Sequence, residues 1–149
     1  MSVLVSSENR LESRQHFLMK RLTAAQKEFR LFEEGDRILI AVSGGKDSMT
    51  LCHLLHLWNR TQLPHLEIAA LHAQPGDSAE NEKNQRQISD HLGKLGIPAH
   101  FAEMDFSEFY SGKETHNCFR CAWKRRKEIF CFAADHGFNK VAFGHHLDD

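Results

Sequence analysis

No stretch of the 149-residue chain approaches the roughly 20 consecutive apolar residues that a membrane-spanning helix requires, which argues against a transmembrane protein. The opening Met1-Ser2-Val3-Leu4-Val5-Ser6 lacks the cationic flank and long apolar core of a secretory signal, so the expected compartment is the cytoplasm. An excess of one charge is also missing: 19 Lys and Arg against 20 Asp and Glu leave a formal net charge of -1, with 11 histidines uncounted. The molecule as a whole is no electrostatic glove for nucleic acid, and any anion site must come from local clustering. Cysteine is scarce, at Cys52, Cys118, Cys121 and Cys131. Without a secretory segment, a close cysteine pair reads as metal-binding or redox-active rather than as a disulfide. No repeat, low-complexity tract or linker divides the chain, and its length suits one domain.

What is present is a regular alternation of patterns. From Asn9 to Glu34, Leu11, Leu18, Leu22, Ala25, Phe29 and Phe32 recur at helical steps, and Gly35 is expected to stop that helix. Ile38 to Val42 is a short β-branched run without alternation, as in a strand covered on both faces. A helix over Asp47 to Asn59 and a strand over Leu66 to His72 follow. Ser78 to Gly96 then carries Ile88, Leu92 and Leu95 at helical steps, and Pro98 to Met104 reads as a third strand. After a polar connection over 105–118, Cys121 to His136 reads as a helix ended by Gly137, and Lys140 to Phe143 as a fourth strand. The alternation predicts an α/β fold, a parallel sheet with helices on both faces. Its unfinished edge needs a cover, which a homodimer can supply.

Ser43-Gly44-Gly45-Lys46-Asp47-Ser48 falls between a predicted strand and a predicted helix, at the sheet edge where such folds bind ligands. The glycines let the backbone approach an anion, the first helical N–H groups point at it, Lys46 neutralises it, and Ser43 and Ser48 offer hydroxyls. It is neither a Walker A loop, since Ile40 stands where that motif begins with glycine, nor a G-x-G-x-x-G loop. The bland alternative is a tight turn with a capping serine.

Cys118-Phe119-Arg120-Cys121 is a C-x-x-C at the mouth of a helix, where dipole and cations favour thiolates. Its spacing fits zinc, with His116 as a candidate third ligand, a redox pair, or two ligands of an iron–sulfur cluster, and does not choose between them. Cys52 and Cys131 read as small core residues. Lys124-Arg125-Arg126-Lys127 follows at once, with Arg120 and Lys113 nearby. Four consecutive cations cover all sides of a helix, so some must face the cleft, there to meet ATP phosphates, RNA phosphates or both.

The glycine string resembles the PP-loop, S-G-G-x-D-S, of the N-type ATP pyrophosphatases. With the cysteine pair, the paired arginines and Gly144-His145-His146-Leu147-Asp148-Asp149, the order of motifs resembles the tRNA 2-thiocytidine biosynthesis (TtcA) family from about Asn9 to Asp149. The resemblance implies the adenine nucleotide alpha hydrolase-like fold, here as the N-terminal half of a longer family architecture. Residues 1–35 would form a helical segment and 36–149 the ATP-binding domain. It implies that Ser43, Gly44, Gly45, Lys46, Asp47 and Ser48 hold phosphate, with Gly144 and Asp149 near the nucleotide and His72, at the end of the second strand, flanking adenine or ribose. Cys118, Cys121 and Asp149 would be catalytic, the cysteines as ligands of a 4Fe-4S cluster. Asp148 would bind magnesium, although both aspartates also suit a helix N-cap. Arg120, Lys124, Arg125, Arg126 and Lys127 would meet RNA or phosphate. The implied activity is ATP-dependent 2-thiolation of a cytidine in tRNA, with sulfur from a donor protein or sulfide. A nucleotide-binding module without chemistry and a zinc-containing PP-loop ligase are the competing readings.

Overall fold

The computed structural model describes residues 2–76, 79–105 and 118–145. In chain order these form α1 (Ser2–Phe29), β1 (Arg37–Ala41), α2 (Lys46–Thr61), β2 (Glu67–Pro75), α3 (Ala79–Leu95), β3 (Ala99–Met104), α4 (Cys118–Asp135) and β4 (Lys140–Phe143). The strands make one sheet in the order β3-β2-β1-β4, and every neighbouring pair is parallel.

The two-residue period of β1 sorts its side chains to opposite faces. Ile38 and Ile40 pack with Cys52, Leu55 and Trp58 of α2 and with Ile88 and Leu92 of α3. Leu39 and Ala41 pack on the other face with Ala69, Leu71 and Ala73 of β2 and with Ile129 and Ala133 of α4. Both faces are thus covered by helices, as the unbroken apolar run in β1 requires. Helix α2 buries Ser48, Cys52, Leu55 and Trp58 at steps of three and four. The Trp58 indole donates to the Pro64 carbonyl at 3.0 Å, so its one polar atom is satisfied in the core.

Two sequence expectations need correction here. The first helix ends at Phe29, not at Glu34, and Arg30 rather than Gly35 takes the positive φ that closes it, at 47°. The Gln26 side chain explains the early turn, because it accepts from the Phe32 amide at 2.8 Å and donates to the Phe32 carbonyl at 2.7 Å. Phe32 thereby leaves the helical period and meets Trp58 edge-on, with ring centroids 5.2 Å apart. Met19 and Leu22 bring α1 onto the core, while Leu11, Leu18 and Phe29 stay exposed. The second correction concerns Cys131, which is exposed. Ile129 and Ala133 face the sheet one turn apart, so the residue midway between them points to the opposite side of α4.

The N-terminal edge of the sheet is tied by a polar network. Buried Asp36 accepts from the Glu33 amide, the Asn139 amide group and the Lys140 ammonium at 2.7, 2.8 and 2.6 Å. Burial raises the Asp36 carboxyl, but these hydrogen bonds, Lys140 foremost, and the Lys140 charge outweigh it and leave the pKa below the ordinary 3.8. Arg37 donates in fork geometry to Glu67 at 2.9 and 3.0 Å and to the carbonyls of His136 and Gly137.

Candidate functional site

The strand order places β2 and β3 on one side of β1 and β4 on the other, so the C-terminal ends of β1 and β4 mark the point where the winding reverses. Ligands of open α/β sheets bind in the crevice at such a point. The glycine loop leaves β1 there, and Gly144 leaves β4 beside it.

Gly45 is the N-cap of α2, and no side chain caps the helix. The capping-serine turn is therefore not what forms, and a helix start of this kind suits an anion. The two serines instead brace the loop: the Ser43 amide donates to Ser48 Oγ at 3.2 Å, the Gly45 amide to Ser43 Oγ at 3.2 Å, and the Ser48 hydroxyl to the Gly45 carbonyl at 3.1 Å. Gly44 has φ 86°, a left-handed conformation that favours glycine, and lies against Ile88 of α3. Lys46 is 86% exposed and pairs with its neighbour Asp47 at 2.9 Å, a surface contact weak enough to yield to a phosphate.

Gly144 is required for a different reason. A Cβ there would come within 2.8 Å of the Ser48 nitrogen and 2.9 Å of its Cα, so the exit from β4 rests directly on the first turn of α2. The two glycine-bearing segments, 100 residues apart, form one surface.

A cavity of about 140 Å³ opens between that surface and α4, and Ser43, Ser48, Arg125, Arg126, Phe143 and His145 line it. Of the basic run, Arg125 and Arg126 thus face the cleft. Lys124 is 92% buried by its own environment, at 8% exposure, and the Lys127 ammonium sits 5.5 Å from the ring centroid of Trp123, an exposed residue. Arg120 is exposed on the first turn of α4. Cys118 is the first residue of that helix, and Cys121, half-buried, follows one turn later and precedes Arg125 by another turn. A C-x-x-C sequence at the start of a helix suits iron or zinc. Among the described residues, no group of three or more His, Cys, Asp or Glu side chains converges to complete such a site. Lys113, His116, Asp148 and Asp149 lie outside the described residues.

His72 stands inside β2, not at its end, and is buried at 9% exposure with Nδ1 2.7 Å from the Val42 carbonyl. Its ring therefore supports the entry to the glycine loop from below. Burial pushes the Cys52 thiol up to about 12, against a small opposing hydrogen bond from its own backbone, which fits an inert core residue.

Sequence reasoning missed three residues. Phe143 and His145 stack, centroids 5.1 Å apart and planes 28° from parallel, as a flat wall of the cavity. The signal for both was available, since they end the fourth strand and sit within the final motif. Gln74, near the end of β2, is buried with Oε1 unpartnered among the described residues, and no pattern announces it.

A family profile described as the PP-loop domain matches residues 14–149. The tRNA-cytidine(32) 2-sulfurtransferase of Citrifermentans bemidjiense is 36% identical over 135 residues, covering 89% of this chain and 52% of the relative. The protein of that name from Methylococcus capsulatus is 36% identical over 151 residues, covering 95% of this chain and 48% of its own length. The chain spans about half the length of the curated relatives it matches. Among solved structures, the U34-tRNA thiolase NcsA from Methanococcus maripaludis with its [4Fe-4S] cluster has TM-score 0.74 at 18% identity, over 92% of this chain and 48% of that one. The NH3-dependent NAD synthetase from Campylobacter jejuni has TM-score 0.56 at 16% identity, over 86% and 56%. No helix among the described residues is long and apolar enough to cross a membrane. The uncapped glycine loop, the glycine that rests on it and the match across nine-tenths of the residues establish that this chain belongs to the PP-loop domain family.

Proposed function

We propose that the chain is the ATP-activating part of a cytoplasmic tRNA 2-thiolation enzyme that acts on cytidine. The observation that carries this reading is the shared cavity: Ser43 and Ser48 of the glycine loop form one wall with Gly144, Arg125 and Arg126 the other, and the cysteine pair opens the same helix as the arginines. The name shared by the two curated relatives described above, tRNA-cytidine(32) 2-sulfurtransferase, supports the substrate class.

In this reading the first amides of α2 and Lys46 take the β and γ phosphates of ATP, and Arg125 and Arg126 offset charge developing on the α phosphate. The C2 oxygen of the base attacks the α phosphorus, the bond to the bridging oxygen breaks, and pyrophosphate leaves. Sulfur then attacks C2, and the C2–O bond breaks to release AMP. Cys118 and Cys121 would hold an iron–sulfur cluster, whose chemistry is to carry the sulfur; Asp148 would bind magnesium, and Asp149 would lie near the nucleotide. His72 is a positioning residue in this reading, acting through the Val42 carbonyl. Arg120 and Lys127, outside the cavity lining, are left for RNA phosphates.

The test is anaerobic reconstitution with iron and sulfide, followed by ATP, sulfide and unmodified tRNA, with nucleoside analysis for 2-thiocytidine. A cluster absorbance band and the thiolated nucleoside are expected. Cys118→Ala should abolish both while ATP affinity stays. ATP binding without cluster or product would reduce the chain to a nucleotide-binding module, and zinc without iron or sulfide would favour a zinc-containing ligase.

A further inference from the structure

A second cavity, of about 280 Å³, lies on the other side of the glycine loop, where Asn84, Gln87, Ile88 and His91 of α3 approach Ser43 and Gly44. At its margin His53 of α2 meets His91: the Nε2 atoms are 2.7 Å apart, the ring centroids 4.8 Å, and the planes make 75°. Neither histidine has a part in the chemistry described above.

Two imidazole nitrogens at this distance point their in-plane positions at the same spot. One proton between them makes a hydrogen bond, whereas a metal ion engages both lone pairs at once. With zinc–nitrogen bonds of about 2.0–2.1 Å in tetrahedral array, the two nitrogens need to stand roughly 3.3 Å apart. A side-chain adjustment of about half an ångström achieves this, and both rings reach the helix surface. Burial, then the charges of His91 and His56, hold the His53 pKa below its ordinary 6.5, so the ring is in the neutral form that ligates metals near pH 7.

We propose that His53 and His91 form a two-imidazole site for a borderline divalent transition-metal ion, such as zinc, nickel or copper(II), that bridges α2 to α3. Among the described residues no third His, Cys, Asp or Glu joins them. Water and the Gln87 side chain, one turn earlier on α3, complete the coordination, and the ion exchanges readily. The bridge ties the helix that begins at the glycine loop to the helix whose Ile88 packs against Gly44. It stands across the sheet from the cysteine pair of α4, so the two metal chemistries are separable.

Nickel titration of the full chain by calorimetry tests this, with Cys118→Ser/Cys121→Ser as the background that removes thiol binding. Affinity in that background should match the unmodified chain at this site and fall at least tenfold in His53→Asn and in His91→Asn, while His65→Asn leaves it unchanged. Zinc in hundred-fold excess over its dissociation constant should raise the melting temperature by about 5 °C or more, an effect lost in the same two variants. Copper(II) electron paramagnetic resonance of the Cys118→Ser/Cys121→Ser/Cys131→Ser chain, in which no accessible thiol is left to reduce or bind the ion, supplies a second readout, and it should show two equivalent nitrogens. Binding that survives both histidine substitutions, binding that disappears with the cysteines, or fewer than two nitrogens would each overturn the assignment.

Discussion

The two ends of the sheet use polar side chains in opposite ways. At the N-terminal end, Asp36, Arg37, Glu67, Asn139 and Lys140 engage one another across more than 100 residues of sequence, and the Asp36 carboxylate accepts three hydrogen bonds. At the C-terminal end, Ser43, Gly45 and Ser48 hydrogen-bond one another within the loop, the Lys46 ammonium pairs with the adjacent Asp47, and no side chain caps α2. The first arrangement fastens distant strands; the second shapes a local loop. Stability and ligand affinity should therefore respond to different substitutions.

The largest expected effect is at the fastened end. Asp36→Ala removes the carboxylate partner of the partly buried Lys140, together with the two oxygens that accept three hydrogen bonds, at a cost of about 3 kcal/mol, or a melting temperature lower by roughly 10 °C. ATP affinity of the folded protein, measured by titration well below the melt, should stay within twofold. Lys46→Ala is the converse: ATP binding weakens by roughly tenfold to a hundredfold, about 1.4 to 2.7 kcal/mol, with the melt moved by less than about 1 °C. A large loss of stability in that variant would contradict the contrast drawn between the ends. Gly144→Ala joins the two quantities, because its methyl group must push the first turn of α2. A loss of about 1 to 2 kcal/mol in stability is expected, together with weaker ATP binding, read from melts and titrations of the same sample.

A smaller effect is electrostatic. The folded Asp36 carboxyl titrates below its ordinary 3.8, so its stabilisation is complete above that value and is lost as pH falls through the folded pKa. Thermal melts between about pH 5 and about pH 2.5 should fall more steeply for the native chain than for Asp36→Asn. The smallest effect involves no energy change: a thiol reagent should modify exposed Cys131 in the native protein and leave Cys52 untouched until denaturant is added.

Elements governed by local pattern were readable in the sequence. The β1 run, the helical steps of α2 and α3 and the strand–loop–helix placement of Ser43 to Ser48 all depend on neighbours in the chain. The errors arose where distant contacts decide. Gln26 folds back on Phe32 and ends α1 before Gly35, an interaction that apolar spacing does not register. The apolar pattern places His72 at a strand end, whereas pairing with β3 carries β2 on to Pro75. Cys131 looked interior because Ile129, Phe130 and Phe132 surround it in sequence, yet only one stripe of α4 meets the sheet. The approach of Gly144 to Ser48 is a backbone contact between segments that share no sequence signal beyond the glycine itself.

The placement of the two tryptophans gives the molecule separable optical reporters. Trp58, at 1% exposure, is sealed among apolar side chains and should emit at short wavelength, beyond the reach of iodide. Trp123, at 54% exposure and one turn from Lys127, should emit at longer wavelength and be quenched by iodide, which the neighbouring cations attract. One emission spectrum, taken with and without quencher, thus follows the integrity of the interior and events along the basic helix at the same time.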